Sequence, residues 1–171
     1  FDGTILVVEK DPTYEFASTS HTNSCIRQQF SNEVNIRVSQ FGVEFVKNFR
    51  AFMGGDTRVP QPVLQSFGYM YLADNADFAA TLKESQRIQA SLGAGTKHMM
   101  PDEIARDYPF YNLEDIVGAN HNLVDEGYFD GNTLFDWWKR SAREHGVEYL
   151  TNEVVAMAKS SDGAKVRSVT L

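Results

Sequence analysis

Thr4-Ile5-Leu6-Val7-Val8-Glu9-Lys10-Asp11 is the stretch on which the fold turns. Its unbroken apolar run reads as a buried parallel strand that ends in an acid. In a dinucleotide-binding βαβ unit an acid at that place accepts the ribose hydroxyls of the adenosine half. The glycine-rich turn that holds the pyrophosphate belongs about 20 residues earlier. The chain opens at Phe1 rather than Met, so this reading expects the 171 residues to be part of a longer nucleotide-binding protein.

Working outward, a polar loop from Pro12 to Ser20 leads through His21 and Cys25 into a long helix over 33–53. Val34, Val38, Phe41, Phe45, Phe49 and Phe52 recur at spacings of three and four, the mark of one apolar face. Gly54-Gly55 closes it, and Pro60 and Pro62 mark a connector between domains. Phe67 to Leu72 reads as a strand. Asp74-Asn75 caps a helix over 76–92 whose inward side chains are Phe78, Leu82, Ile88 and Leu92. Pro101-Asp102-Glu103 opens a short helix that Pro109 stops. Ile116 to Val124 is extended. Asp130-Gly131-Asn132 starts a helix to His145 carrying Leu134, Trp138 and Ala142 on one side. Short strands over 147–150 and 153–158 follow, and Asp162-Gly163 turns the chain into a last strand over 165–171.

Composition narrows the function classes. A net charge of −7 without a basic stripe argues against nucleic acid. Nowhere do about 18 apolar residues run together, so no membrane span is expected. The single cysteine, Cys25, excludes an internal disulfide framework and favours a reducing compartment, cytoplasm or mitochondrial matrix. His21 and Cys25 lack a third ligand, and His98, His121 and His145 fall in unrelated elements, so no metal is expected. Gly93-Ala94-Gly95 follows a helix and is not a dinucleotide fingerprint. Two side chains stand out. Glu9 is either a ribose acceptor that disfavours a 2′-phosphate or an ordinary solvated acid. Arg27 is either a fork for a substrate carboxylate or an exposed arginine. The aromatics of 33–53 and the Trp137-Trp138 pair read as core.

The order of these pieces resembles the D-amino-acid oxidase superfamily of flavoproteins. The resemblance rests on Val7-Val8-Glu9-Lys10-Asp11-Pro12-Thr13-Tyr14, Ala17-Ser18-Thr19 and Ile26-Arg27-Gln28-Gln29-Phe30-Ser31. Farther on it is carried by Pro101-Asp102-Glu103-Ile104 through Tyr108-Pro109, and by Asp125-Glu126-Gly127-Tyr128-Phe129-Asp130 with Gly146-Val147-Glu148-Tyr149. It is strongest toward the branch of sarcosine oxidases, glycine oxidases and the FAD-dependent oxidoreductase-domain proteins tied to respiratory complex I assembly.

The resemblance implies an α/β chain, α+β overall: part of a Rossmann-like FAD-binding domain and part of an antiparallel-sheet substrate domain. It divides the chain into 1–58 (FAD-binding domain, first part), 59–125 (substrate domain, part) and 126–171 (return to the FAD-binding domain). It implies an FAD cofactor contacted by Glu9, Lys10, Ser18, Thr19, His21, Asn23, Ser24 and Val154, and makes Arg27 the catalytic-site residue that pairs with a substrate carboxylate. Ser18-Thr19-Ser20-His21 is similar to the context in which dimethylglycine-dehydrogenase-like members carry a flavin-linked histidine. Closer relatives lack that link, so a noncovalent contact is the reading here. Ser24 stands where sarcosine oxidases often carry a basic residue, a departure that bears on oxygen reactivity. The implied activity is oxidation of the C–N bond of a small amino acid or N-methyl amino acid, with hydride transfer to flavin N5 and hydrolysis of the imine. The alternative is a flavin-binding assembly factor with little turnover. The implied partners are a small-molecule amine and the N- and C-terminal parts of the same protein.

Overall fold

A computed structural model describes residues 2–171. Its elements run β1 (Leu6–Glu9), β2 (Cys25–Ile26), α1 (Glu33–Lys47), α2 (Phe49–Phe52), β3 (Tyr69–Ala73), α3 (Ala76–Ser91) and β4 (Lys97–Met99). They continue α4 (Pro101–Asp107), β5 (Gly118–Asn122), β6 (Gly127–Tyr128), α5 (Gly131–Glu144), β7 (Glu148–Thr151), β8 (Ala156–Lys159) and β9 (Val166–Thr170). The chain forms two compact units, one of residues 1–22 with 131–171 and the other of residues 23–130. The sequence reading places its passages near 58 and 125. By packing, α1 stays with the unit of 23–130, because it lies against β2 and α3.

In the first unit β1 and β7 pair in parallel, with Leu6 opposite Glu148 and Glu9 opposite Thr151. The expected direction is therefore present. The expected burial is not: Leu6 is half exposed, since β7 is the one strand beside β1 among the described residues. Helix α5 packs Leu134 and Trp137 inward, while Trp138 faces outward at 45% exposure, so the apolar side runs one residue from where the sequence suggested. Tyr14 meets Phe135 edge-on at 4.7 Å, and Lys139 Nζ lies 4.9 Å from the Tyr14 ring centre. The β8–β9 hairpin turns at Asp162-Gly163 as expected.

The second unit is built on the antiparallel sheet β3-β5-β4. Strand alternation sends Met70, Leu72, Met99 and Ala119 to one face, where they pack with Ile104 of α4 and with Tyr108, Leu113 and Ile116. Tyr71 and Asn120, opposite one another, go to the other face, where Asn120 Nδ2 donates to the Leu82 carbonyl of α3 at 2.7 Å. Asn75 caps α3 by accepting from the Phe78 N–H, and Pro101 opens α4, both as the sequence predicts.

The predicted helix over 33–53 is two helices, because the backbone breaks at Asn48. Of the face read from the sequence, Phe49 is buried and Phe45 half-buried, but Val34, Val38, Phe41 and Phe52 are exposed, and Ile36, Val43 and Val46 are buried in their place. The segment carries two apolar stripes, and the burial chosen is the one that meets β2 and α3. Strands β2, β4 and β6, of two or three residues each, are too short to leave a periodic signal.

Candidate functional site

Strand register makes the site in the second unit. Antiparallel pairing sets Cys25 opposite Tyr128 and Ile26 opposite Gly127. Gly127 is required there: its φ is +151°, and a Cβ would lie 1.9 Å from the Gln65 carbonyl oxygen. This pairing brings Arg27, Gln28 and Gln29, just past β2, against Glu126, just before β6. Glu126 is fully buried. Its Oε1 accepts from the Gln28 N–H at 2.6 Å, and its Oε2 accepts from Gln29 Nε2 at 2.9 Å. Burial pushes the Glu126 carboxyl above its ordinary value, and the bonds from Gln29 and Gln28 offset part of the rise.

Arg27 itself is exposed and joins no ion pair among the described residues. Aromatic rings hold it instead, with the guanidinium carbon 5.0 Å from the Phe30 ring centre and 5.5 Å from that of Tyr71. Burial raises the Tyr71 phenol, while the Arg27 charge pulls it back. The arginine sits between two hollows. One, of about 240 Å³, is lined by Gln29, Phe30, Tyr71, Phe78 and Gln89 among others. The other, about 330 Å³, is lined by Asn23, Cys25, Ser39 and Tyr69. The Tyr69 phenol is pushed up to about 12, first by burial and then by Cys25 beside it. Ser24, at φ +48°, accepts from the Phe129 N–H and so anchors the start of β2.

A guanidinium between aromatic faces has the chemistry to bind an anion such as a carboxylate. A larger hollow of about 420 Å³ lies beside β4 and α4, but its Arg106 is already paired with Asp107 at 2.6 Å.

In the first unit, Glu9 stands half-buried at the carboxyl end of β1, where parallel strands present a crevice to ligands. Its Oε1 accepts from the Asp11 N–H at 2.9 Å, leaving the second carboxylate oxygen for an outside donor. Lys10 Nζ pairs with Glu153 at 3.2 Å, and the Asn152 N–H donates to the Glu9 carbonyl. Val154, two residues on, is thereby brought to the same strand end. An acid with one oxygen unused at this position fits the ribose of an adenine dinucleotide. The residues for the phosphates are a different matter, since the sequence holds no G-x-G-x-x-G turn. Ser18, Thr19 and His21 lie in a tight turn in which the His21 N–H donates to the Ala17 and Ser18 carbonyls, and the His21 side chain is exposed. Glu9, Lys10 and Val154 are thus gathered in one unit, and Asn23, Ser24 and Arg27 in the other.

Among the described residues no cluster of three metal-ligating side chains occurs, and no helix is long and apolar enough to cross a membrane. Sequence reasoning missed Glu126, Gln29, Tyr71 and Gln89 as site residues. Only the Gln-Gln pair beside Arg27 gave a signal, and it needed a partner 97 residues away to become meaningful.

A parallel strand pair in one unit and an antiparallel three-stranded sheet in the other make this an α/β chain, α+β overall. The family model "FAD dependent oxidoreductase" matches residues 2–170, and the chain belongs to that family. It is similar to FAD-dependent oxidoreductase domain-containing protein 1 of Xenopus laevis, at 35% identity over 152 residues, covering 88% of this chain and 30% of the relative. The Bos taurus protein of that name is 32% identical over 165 residues, covering 96% and 34%. The chain therefore spans about a third of the length of these relatives. In fold it is similar to L-proline dehydrogenase from P. horikoshii, with TM-score 0.70, 23% identity, 98% of this chain and 48% of that one. Glycine oxidase from Bacillus cereus gives 0.68, 18%, 98% and 44%. The family implies FAD as the cofactor.

Proposed function

We propose that this FAD-dependent oxidoreductase acts on the C–N bond of a small amino acid or N-methyl amino acid, and that Arg27 anchors the substrate carboxylate. The observation that carries the reading is the Arg27 guanidinium itself, ringed by Phe30 and Tyr71 and lacking an ion-pair partner of its own among the described residues. Glu9 would hold the adenosine ribose through its unused carboxylate oxygen, with Lys10, Ser18, Thr19, His21, Asn23, Ser24 and Val154 along the rest of the cofactor. FAD, when bound, supplies the acceptor for the two electrons leaving the amine. The protein's task is then orientation: a carboxylate fixed at Arg27 limits the poses of the carbon that loses its hydrogen.

Arg27→Ala in the full-length, FAD-loaded protein should raise KM for N-methylglycine roughly 10- to 100-fold, as expected for a lost charge-assisted bond. KM for a neutral secondary amine of similar size should barely move. Arg27→Lys, which keeps the charge but not the fork, should fall between. Equal effects on both amines would refute the assignment.

A further inference from the structure

Strand alternation gives the β3-β5-β4 sheet a second hollow, on the face opposite the one that carries Tyr71 and Asn120. There Met70, His121 and Lys97 form one row across the three strands, and Leu72, Ala119 and Met99 form the next. The second row belongs to the core under α4. The first lies at its edge, where a space of about 420 Å³ is lined by Lys97, Met99, Tyr108, His121, Leu123 and Val124 among others.

Register sets two basic side chains directly opposite one another in this row. Like charges in that relation destabilise a sheet, and an imidazole escapes the cost by staying neutral. His121 does so: burial, and then the Lys97 charge beside it, hold its ring below the ordinary 6.5. The ring is half-buried and meets the Tyr108 ring edge-on, with the phenol oxygen 3.3 Å from Nδ1 and 3.4 Å from Nε2. One hydroxyl serves one nitrogen at a time, so the other has no protein partner among the described residues. From β3 the ring is faced by Met70, which carries no charge. The remaining charges come from α4, and its acids are already engaged. Glu103 Oε2 accepts from the Met100 N–H at 2.8 Å, and Asp107 takes Arg106 with both oxygens, at 2.6 and 3.0 Å. Lys97 is near enough to help keep Asp107 ionised, yet it joins no ion pair among the described residues.

We propose that this hollow binds the doubly charged phosphate group of a small phosphorylated metabolite, held by Lys97 Nζ, a His121 ring nitrogen and the Tyr108 hydroxyl. Met99, Leu123 and Val124 supply an apolar wall for the organic part. A dianion between Lys97 and His121 turns their repulsion into a shared attraction once the imidazole takes up a proton. The protonated ring then donates one N–H to the Tyr108 oxygen and the other to the ligand, and the phenol hydrogen is free to go to the ligand too. Binding is therefore tighter toward acid pH. The site shares no residue with the Arg27 hollow and does not depend on what Arg27 binds.

The test follows the His121 Cε1–H signal, identified by its loss in His121→Gln, in NMR spectra of the full-length, FAD-loaded protein labelled with ¹³C-histidine. Titrations from about pH 5 to 8 are run in sodium sulfate and in sodium chloride of equal ionic strength. Sulfate keeps both charges over this range, so any change of protonation belongs to the protein. Saturating sulfate should raise the His121 midpoint by roughly one pH unit over chloride, the result of a tenfold preference for the protonated ring. Lys97→Gln should raise the midpoint in chloride, because the repelling charge is gone, and should remove most of the response to sulfate. Tyr108→Phe should weaken sulfate several-fold. Phenyl phosphate should displace sulfate at a lower concentration than inorganic phosphate does, since its ring gains the apolar wall. A midpoint that lies as high in chloride as in sulfate, or a sulfate response that survives Lys97→Gln in full, overturns the site. Phenyl phosphate no better than inorganic phosphate overturns its assignment to a phosphorylated metabolite.

Discussion

Residues 23–130 bury Ile36, Phe49, Val59, Ile104 and Ala119 completely, whereas the unit of 1–22 and 131–171 buries Leu134 and Trp137 and leaves all of β8 and β9 exposed. The first of these regions wraps three strands between helices. The second offers two-stranded ribbons, which are marginal in water when nothing covers them. The contrast places most of the buried core in one region, and under the proposed function it divides the substrate anchor Arg27 from the nucleotide acid Glu9. Arg27, Gln29 and Glu126 are set by a packed sheet and its neighbours, while Glu9 is set by a single pair of parallel strands.

The largest expected effect probes that contrast directly. Phe49→Ala should cost about 3–5 kcal/mol in urea unfolding followed by circular dichroism, because the whole ring is buried. Met157→Ala, on the exposed hairpin, should stay within about 0.5 kcal/mol. Similar losses for the two would break the comparison.

A smaller effect sharpens it. Glu126→Gln should cost about 1 kcal/mol at acid pH through one impaired bond to Gln29 or Gln28. Because burial raises the folded-state value of Glu126 above the ordinary 4.5, the folded protein holds that proton more tightly than the unfolded chain. The parent should therefore lose stability as pH climbs from about 4.5 through the raised value, and the variant should not. The gap between them narrows over that window. A gap that widens with pH would show that Glu126 is held as a carboxylate.

Much of the framework was legible from residues that act locally. Asn75 and Pro101 announce their helices, Gly146 ends α5 at φ +84°, and Asp162-Gly163 makes its hairpin. Parallel pairing of the opening strand followed from its apolar run. Harder to read was the choice between two apolar stripes on α1, where Phe41 and Ile36 are equally plausible inward residues until β2 and α3 are in place. Trp137 and Trp138 posed the same problem one residue apart. In the candidate site, Arg27 was singled out by the family resemblance, since its position alone reads equally as an exposed arginine. Glu126 was not: its role comes from a partner 98 residues away, and nothing near it in sequence marks a buried acid. Gln89, a polar residue on the same side of α3 as Leu82, is legible only once its amide is seen bound to the Phe30 carbonyl.

The central claim is that this oxidoreductase family member takes electrons from a carboxylated amine seated at Arg27. The direct measurement is anaerobic mixing of the full-length, FAD-loaded protein with N-methyl amino acids while the absorbance of the oxidised flavin is followed. The account predicts bleaching that saturates with substrate and needs far more of it in Arg27→Ala. A flavin that keeps its colour across the whole panel would contradict it.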